Sequence, residues 1–231
     1  MSALSSAAGL RDDGGDAQAV RLRWLAAAMV LGIVLAVPFF VTDVPPVLDY
    51  PNHLARYFVL AHPDDPALSQ IYAPRWRILP NLAMDIAGTW LLQLIDVHVA
   101  GRVLLAISLF APVAGVIAYS RAVFGRFSYW PLASGTIAYN AVLFLGFMNF
   151  LLSLGLALGA AASFVVLQRR GRPMLAASVG AAAACVVFFA HIFGVMLFAL
   201  LVASREGERL WRGTVAGSVS NRWLCVAPGQ R

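Results

Sequence analysis

The sequence WLAAAMVLGIVLAVPFFV at residues 24–41 contains no charged side chain, and it decides the fold class. A helix of about 18–20 mostly apolar residues crosses the hydrocarbon layer of a bilayer, so this stretch predicts a membrane-spanning helix. Arg21 and Arg23 precede it, as they would in a signal peptide, but the segment TDVPP at 42–46 follows and offers no small-x-small cleavage site. We therefore predict a signal anchor that is retained.

The rest of the chain shares this apolar character. Of the 231 residues, 61% are hydrophobic and 12% are charged, and the mean hydropathy is +0.78. Soluble domains carry about 25% charged residues, so too little polar surface is present to coat a water-soluble globule. The sequence predicts an all-α, polytopic bundle of transmembrane helices whose main partner is the lipid bilayer.

Successive apolar runs indicate where the chain crosses the membrane. We predict a transmembrane domain over residues 21–212, with spans at about 24–41, 97–119, 129–146, 148–167 and 174–203. The last run is long for one span and short for two, so it forms either a single span or a tight hairpin with the ionisable residue His191 at its tip. These alternatives correspond to five or six crossings.

The remaining segments are polar. Residues 1–20 are predicted to be a disordered cytoplasmic tail, and residues 213–231 a polar tail. Residues 43–96 form an extracytoplasmic loop in which two short interfacial helices are expected, at 49–61 and 81–95.

The charges predict the orientation and exclude one class of partner. All 17 basic residues are arginines, and they lie in small groups between apolar runs, which is the placement of charges that set topology. Arginines at 121–126 and 169–172 fall on the same side as the N-terminus, whereas residues 43–96 are rich in aspartate. We therefore predict a cytoplasmic N-terminus and no nucleic-acid partner, despite a formal charge of +6. A cytoplasmic placement of Arg205 and its neighbours favours six crossings.

Composition also bears on location and cofactors. Arginine without lysine, together with abundant alanine and glycine, is typical of a GC-rich coding sequence and indicates a bacterial source, hence the cell inner membrane. Cys185 lies in an apolar run and Cys225 in the polar tail, so we expect no disulfide and no metal site. No phosphate-binding or dinucleotide-binding glycine motif is present, and we expect no cofactor.

The segment VPPVLDYPNHLAR at 44–56 carries the candidate site. Asp49, His53 and Arg56 are spaced i, i+4 and i+7, so a helix places them on one face. Asp49 and His53 are candidate catalytic acid or base groups, and Arg56 is a candidate phosphate ligand. The alternative is structural: Asp49 caps the helix and Arg56 extends towards lipid headgroups.

Three short stretches resemble a known class of membrane enzyme. LDYPNHLAR at 48–56, LPNLAMD at 79–85 and GFMNF at 146–150, behind an N-terminal signal anchor, resemble the GT-C class of polytopic glycosyltransferases and bacterial membrane proteins of the same layout. The resemblance covers roughly residues 24–212. It implies a polyprenyl-phosphate-linked sugar as donor at the outer face, Asp49 as the base that acts on the acceptor, and Asp85 as a second catalytic acid.

The chain departs from the GT-C pattern in its length. GT-C proteins usually have more spans and often a soluble C-terminal domain, so we expect this chain to be a truncated member. A transporter subunit and a non-catalytic membrane protein are the competing interpretations. The spanning runs carry few charges and show no clear inverted repeat, which disfavours a transporter.

Small and polar residues within the spans predict how the helices pack. Gly155 and Gly159 form a Gly-x-x-x-Gly pair, for which we expect close packing inside this chain rather than dimerisation. Asn140 and Asn149 are predicted to form hydrogen bonds between helices.

Overall fold

The computed structural model describes residues 13–42 and 44–224 of the chain. These residues form helices and contain no β-strand, which confirms the predicted all-α class. The helices are α1 (Asp13–Ala36), α2 (Pro38–Val41), α3 (Tyr50–Ala61), α4 (Ala83–Leu91), α5 (Val97–Phe124), α6 (Ala141–Leu145), α7 (Met148–Arg169), α8 (Pro173–Ala190) and α9 (Ile192–Leu224), with a 3₁₀ helix at Trp130–Ile137.

Among the described residues, four helical stretches are long and apolar enough to cross a bilayer: Ala17–Val41, Val97–Phe124, Met148–Arg169 and Pro173–Ala190. Their mean hydropathies, between 2.0 and 2.5, are those of membrane spans. The chain is therefore an integral, multi-pass membrane protein.

The bundle has two distinct ends. At one, Arg169 donates two hydrogen bonds of 2.6 Å, to the carbonyls of Ala122 and Val123, and so joins the last turns of α5 and α7. We call this the arginine end. At the other, the amide of Leu82 donates to Phe189 O at 2.8 Å, so the start of α4 lies on the last turn of α8. We call this the loop end.

Helix α7 is the centre of the bundle, since it packs against α5, α8 and α9. Gly155 lies directly on the backbone of Ala111 in α5, and an added Cβ would overlap that backbone. Gly159, one turn further along, has no neighbour within 4 Å of the position a Cβ would take. Close intramolecular packing therefore involves the first glycine of the pair.

The segment predicted as a span at 129–146 does not form one continuous helix. It runs beside α1: the indole N–H of Trp24 donates to Ser128 O at 2.8 Å, and the hydroxyl of Tyr139 donates to Leu35 O at 2.7 Å. Pro131 lacks an amide hydrogen and Gly146 adopts φ +89°, so proline and glycine interrupt the α-helical pattern. The 3₁₀ helix rises about 2.0 Å per residue, compared with about 1.5 Å for an α-helix, so it covers the same distance with fewer residues.

The run predicted at 174–203 as one span or a hairpin is a hairpin. His191 separates α8 from α9 in an extended conformation, φ −169° and ψ 143°. A Cβ at Gly180 would contact Phe198, and a Cβ at Gly194 would overlap Val187, so the two helices run antiparallel.

Both predicted tails are partly helical. Helix α1 begins at Asp13, within the segment expected to be disordered, and α9 continues to Leu224, within the predicted polar tail. Glu208 pairs with both Arg205 and Arg212, at the i+3 and i+4 spacings that stabilise helices, so the polar composition does not end α9. Residues 1–12 and 225–231 lie outside the described residues.

Candidate functional site

Helix α3 carries the predicted site and packs against α4. Asp49 occupies the position before the helix, and Pro51 lies in the first turn, where its missing amide hydrogen has no consequence. The ring of Tyr57 is fully buried against Gly88 of α4, and a Cβ at Gly88 would overlap it. This close approach fixes the face of α3 that carries Asp49, His53 and Arg56.

The carboxylate of Asp49 does not cap α3. Its Oδ1 accepts a hydrogen bond of 2.8 Å from the side-chain amide of Asn52, and its Oδ2 lies 3.4 Å from His53 Nε2. No side-chain bond to a first-turn amide is present, and the side chain is 45% exposed. Because this carboxylate is exposed and is not bonded to the amides of α3, it is available to bind a ligand.

His53 lies behind Asp49 and is buried. Its Nε2 is 3.1 Å from the carbonyl oxygen of Gly146. Because a carbonyl oxygen only accepts hydrogen bonds, Nε2 carries the hydrogen and donates it. His53 Nδ1 is buried and has no hydrogen-bond partner within the described residues. The imidazole is thus held between Gly146 and Asp49.

Arg56, the predicted phosphate ligand, forms an ion pair with Asp85, the predicted second acid. Asp85 is buried, with 1% of its surface exposed, whereas about half of the Arg56 side chain is exposed. Burial raises the pKa of Asp85, and the charges of Arg56 and His53 oppose that rise. Asp85 therefore fixes the position of a guanidinium that still reaches solvent.

Asn149 joins α4 to the bundle. Its Oδ1 accepts a hydrogen bond of 2.9 Å from the amide of Met84, and its Nδ2 donates to Asn81 O at 3.2 Å. Leu82, at the start of α4, offers no capping side chain, so Asn149 of α7 takes that role. Asn140, by contrast, caps α6 within its own segment, by accepting from the amide of Leu143 at 3.1 Å.

These side chains surround one cleft at the loop end. Its volume is about 500 Å³, and its polar lining consists of Asp49, His53, Arg56, Asn81, Asn149 and His191. His191 is stacked on Phe193, with ring centroids 5.6 Å apart, and its Nδ1 accepts from the Phe193 amide at 3.3 Å. The sequence did not predict that His191 lies across the cleft from α3. An ionisable side chain within an apolar run was the only sign that it could belong to a functional site.

The arrangement can accept a proton and hold an anion. An exposed carboxylate beside an imidazole can take a proton from a hydroxyl, and a guanidinium can bind a phosphate. Within residues 13–42 and 44–224, no three His, Cys, Asp or Glu side chains come together as metal ligands would. Comparison of the chain with family models, curated proteins and solved structures finds no match.

Proposed function

We propose that this membrane protein is a glycosyltransferase of the GT-C kind, which transfers a sugar from a polyprenyl-phosphate donor to a hydroxyl acceptor. One observation carries the proposal. The carboxylate of Asp49 is not used for capping, lies beside His53, and lines a cleft of about 500 Å³ that Arg56 also lines. A base and an anion-binding group thus face the same space.

In the proposed reaction, Asp49 is the general base. The acceptor hydroxyl gives its proton to the Asp49 carboxylate while the hydroxyl oxygen forms a bond to the anomeric carbon of the sugar. The bond between that carbon and the phosphate oxygen breaks, and polyprenyl phosphate leaves with the electron pair. Arg56 stabilises the charge that develops on the leaving phosphate.

Two further residues position these groups. The Nε2–H of His53 points between Gly146 O and Asp49, and its distance of 3.4 Å from the carboxylate lets it orient that group. Asp85 is buried and bonds to Arg56, so it is a positioning residue for the phosphate ligand. In this assignment Asp85 does not touch the substrate and acts on it through Arg56.

A lipid-linked donor suits the location of the cleft. The site lies at the end of helices that cross the bilayer, so a polyprenyl chain can remain in the hydrocarbon while its phosphate reaches Arg56. The arginine bias assigns the arginine end to the cytoplasm and the loop end to the outer face of a bacterial inner membrane.

Substitution of Asp49 tests the proposal. Asp49→Asn keeps the shape and the hydrogen bond from Asn52 but removes the base, so we expect transfer to fall by about 10²-fold or more. The assay measures radiolabelled sugar transferred from polyprenyl-phosphate hexoses to lipid and protein acceptors in membranes. Because Asp49 does not cap α3, expression and thermal stability should stay at the wild-type level.

Asp65→Asn is the matched control. Its carboxylate belongs to the same loop but accepts hydrogen bonds from the amides of Ala67 and Leu68, and it does not line the cleft. We expect this variant to transfer at the wild-type rate. Wild-type transfer by Asp49→Asn would show that the proposed mechanism is wrong.

A further inference from the structure

A second cavity shares Arg56 with the cleft. It lies between α3, the start of α4 and the extended segment at residues 72–79, and its volume is about 550 Å³. Its charged lining comprises Arg56, Asp85, Arg75 and Arg77. The last two residues belong to neither helix and are absent from the cleft that contains Asp49.

The charges of this cavity do not balance. Asp85 is its one lining carboxylate, and it is already bonded to Arg56. Arg75 and Arg77 form no ion pair and no hydrogen bond with any described residue. The carboxylate of Asp65, in the same loop of the chain, accepts from backbone amides of its own turn. Two exposed guanidinium groups that have no partner among the described residues therefore line one half-open cavity, which favours an anionic ligand.

The uncharged lining is apolar and aromatic. Leu60, Leu79 and Leu82 form part of the wall, together with the rings of Tyr72 and Trp76. Trp76 is 53% exposed although it is large and apolar. In membrane proteins, tryptophan, tyrosine and arginine at the ends of spanning helices lie at the level of the lipid headgroups. The ligand that fits has an anionic group and an apolar portion.

We propose that this cavity, the arginine pocket, binds a phosphate monoester between Arg75 and Arg77, and that an attached hydrocarbon chain lies along Tyr72 and Trp76. Guanidinium groups bind phosphate oxygens through paired, charge-assisted hydrogen bonds, and two of them on one short extended segment can act on the same phosphate. The inference concerns binding, so it does not depend on transfer chemistry at Asp49.

The test is the binding of dodecyl phosphate to the purified full chain in a neutral detergent, measured by native mass spectrometry. The double variant Arg75→Gln/Arg77→Gln should bind about tenfold more weakly or worse, since two charge-assisted hydrogen-bonding groups are lost. Arg170→Gln/Arg172→Gln removes the same charge from an exposed loop at the arginine end and should bind like the wild type.

Inorganic phosphate distinguishes the two possible sources of the ligand. If inorganic phosphate displaces dodecyl phosphate only at a much higher concentration, the site recognises a lipid phosphate. Trp76→Ala should then weaken the binding of dodecyl phosphate but not the binding of inorganic phosphate. If the two compete at similar concentrations, the site recognises free phosphate. Equal binding by the wild type and the Arg75/Arg77 double variant would overturn the arginine pocket in either form.

Discussion

The α5–α7 interface and the α3–α4 layer both use close packing at a glycine, but the α3–α4 layer also buries ionisable side chains. Between α5 and α7, Gly155 lets two backbones touch at Ala111, so van der Waals packing joins the helices, as is common in membranes. In the α3–α4 layer, Asp85 and His53 are buried, and their positions depend on a few polar contacts. The scaffold should therefore respond mainly to changes in volume, and the site also to changes in charge and hydrogen bonding.

A change of volume should have the largest effect. Gly155→Ala places a methyl group on the backbone of Ala111, which cannot move aside easily, and we expect a loss of about 3 kcal/mol or more in the free energy of unfolding. Gly159→Ala meets no neighbour within 4 Å and should be neutral or stabilise α7 by up to about 1 kcal/mol. Unfolding of both variants in detergent measures the difference. If the two variants lost the same free energy of unfolding, Gly155 would not be the glycine at which the helices pack most closely.

Removal of one hydrogen-bonding side chain should loosen the site layer and leave the scaffold intact. Asn149→Ala leaves the amide of Met84 without its acceptor and should cost about 1–3 kcal/mol. Hydrogen exchange at Met84 should accelerate. Asn140→Ala removes the cap of α6 and a local hydrogen bond to Ile137 O, should cost about 0.5–2 kcal/mol, and should leave exchange at Met84 unchanged. Unchanged protection of Met84 in Asn149→Ala would show that α4 is held by other contacts.

The smallest expected effect is a dependence on pH that comes from Asp85. Burial raises the pKa of its carboxyl above the ordinary value of 3.8. Between pH 3.8 and the folded-state pKa, the carboxyl is therefore protonated in the folded protein and ionised in the unfolded chain. The resulting stabilisation is fully present below pH 3.8 and is lost as the pH rises through the folded-state pKa.

Asp85→Asn removes this titration. The difference in unfolding free energy, wild type minus variant, should therefore decrease as the pH is raised from about 4. If that difference stays constant or grows with pH, the ion pair with Arg56 lowers the pKa of Asp85 at least as much as burial raises it.

The sequence predicted the parts of the site that lie close together along the chain. The i, i+4 spacing of Asp49 and His53 is realised in a separation of 3.4 Å, and Arg56 lines the same cleft. The capping alternative for Asp49 was reasonable from its position, but the side chain turns to Asn52. Helical periodicity is a local property, and these residues share one helix face.

Contacts between distant segments could not be predicted in this way. Arg56 and Asp85 are 29 positions apart, and Asn149 reaches Met84 across 65 positions. Such pairs depend on how α4 and α7 pack, which hydrophobic patterning does not encode. The segment at 129–146 differs from its prediction in another way. It still leads from the arginine end to the loop end, but it is not one α-helix, because apolar composition does not distinguish an α-helix from a 3₁₀ helix and Pro131 lacks an amide hydrogen.

The most direct test of the account is whether the loop end and the arginine end lie on opposite faces of the membrane. In a chain with Cys185 and Cys225 replaced by alanine, a single cysteine is introduced at the exposed Ser69 or at the exposed Arg170. Intact cells are treated with a membrane-impermeant maleimide, and lysed cells serve as the control for reactivity. The account predicts labelling of Ser69→Cys in intact cells and of Arg170→Cys only after lysis. Labelling of Arg170→Cys in intact cells would contradict it.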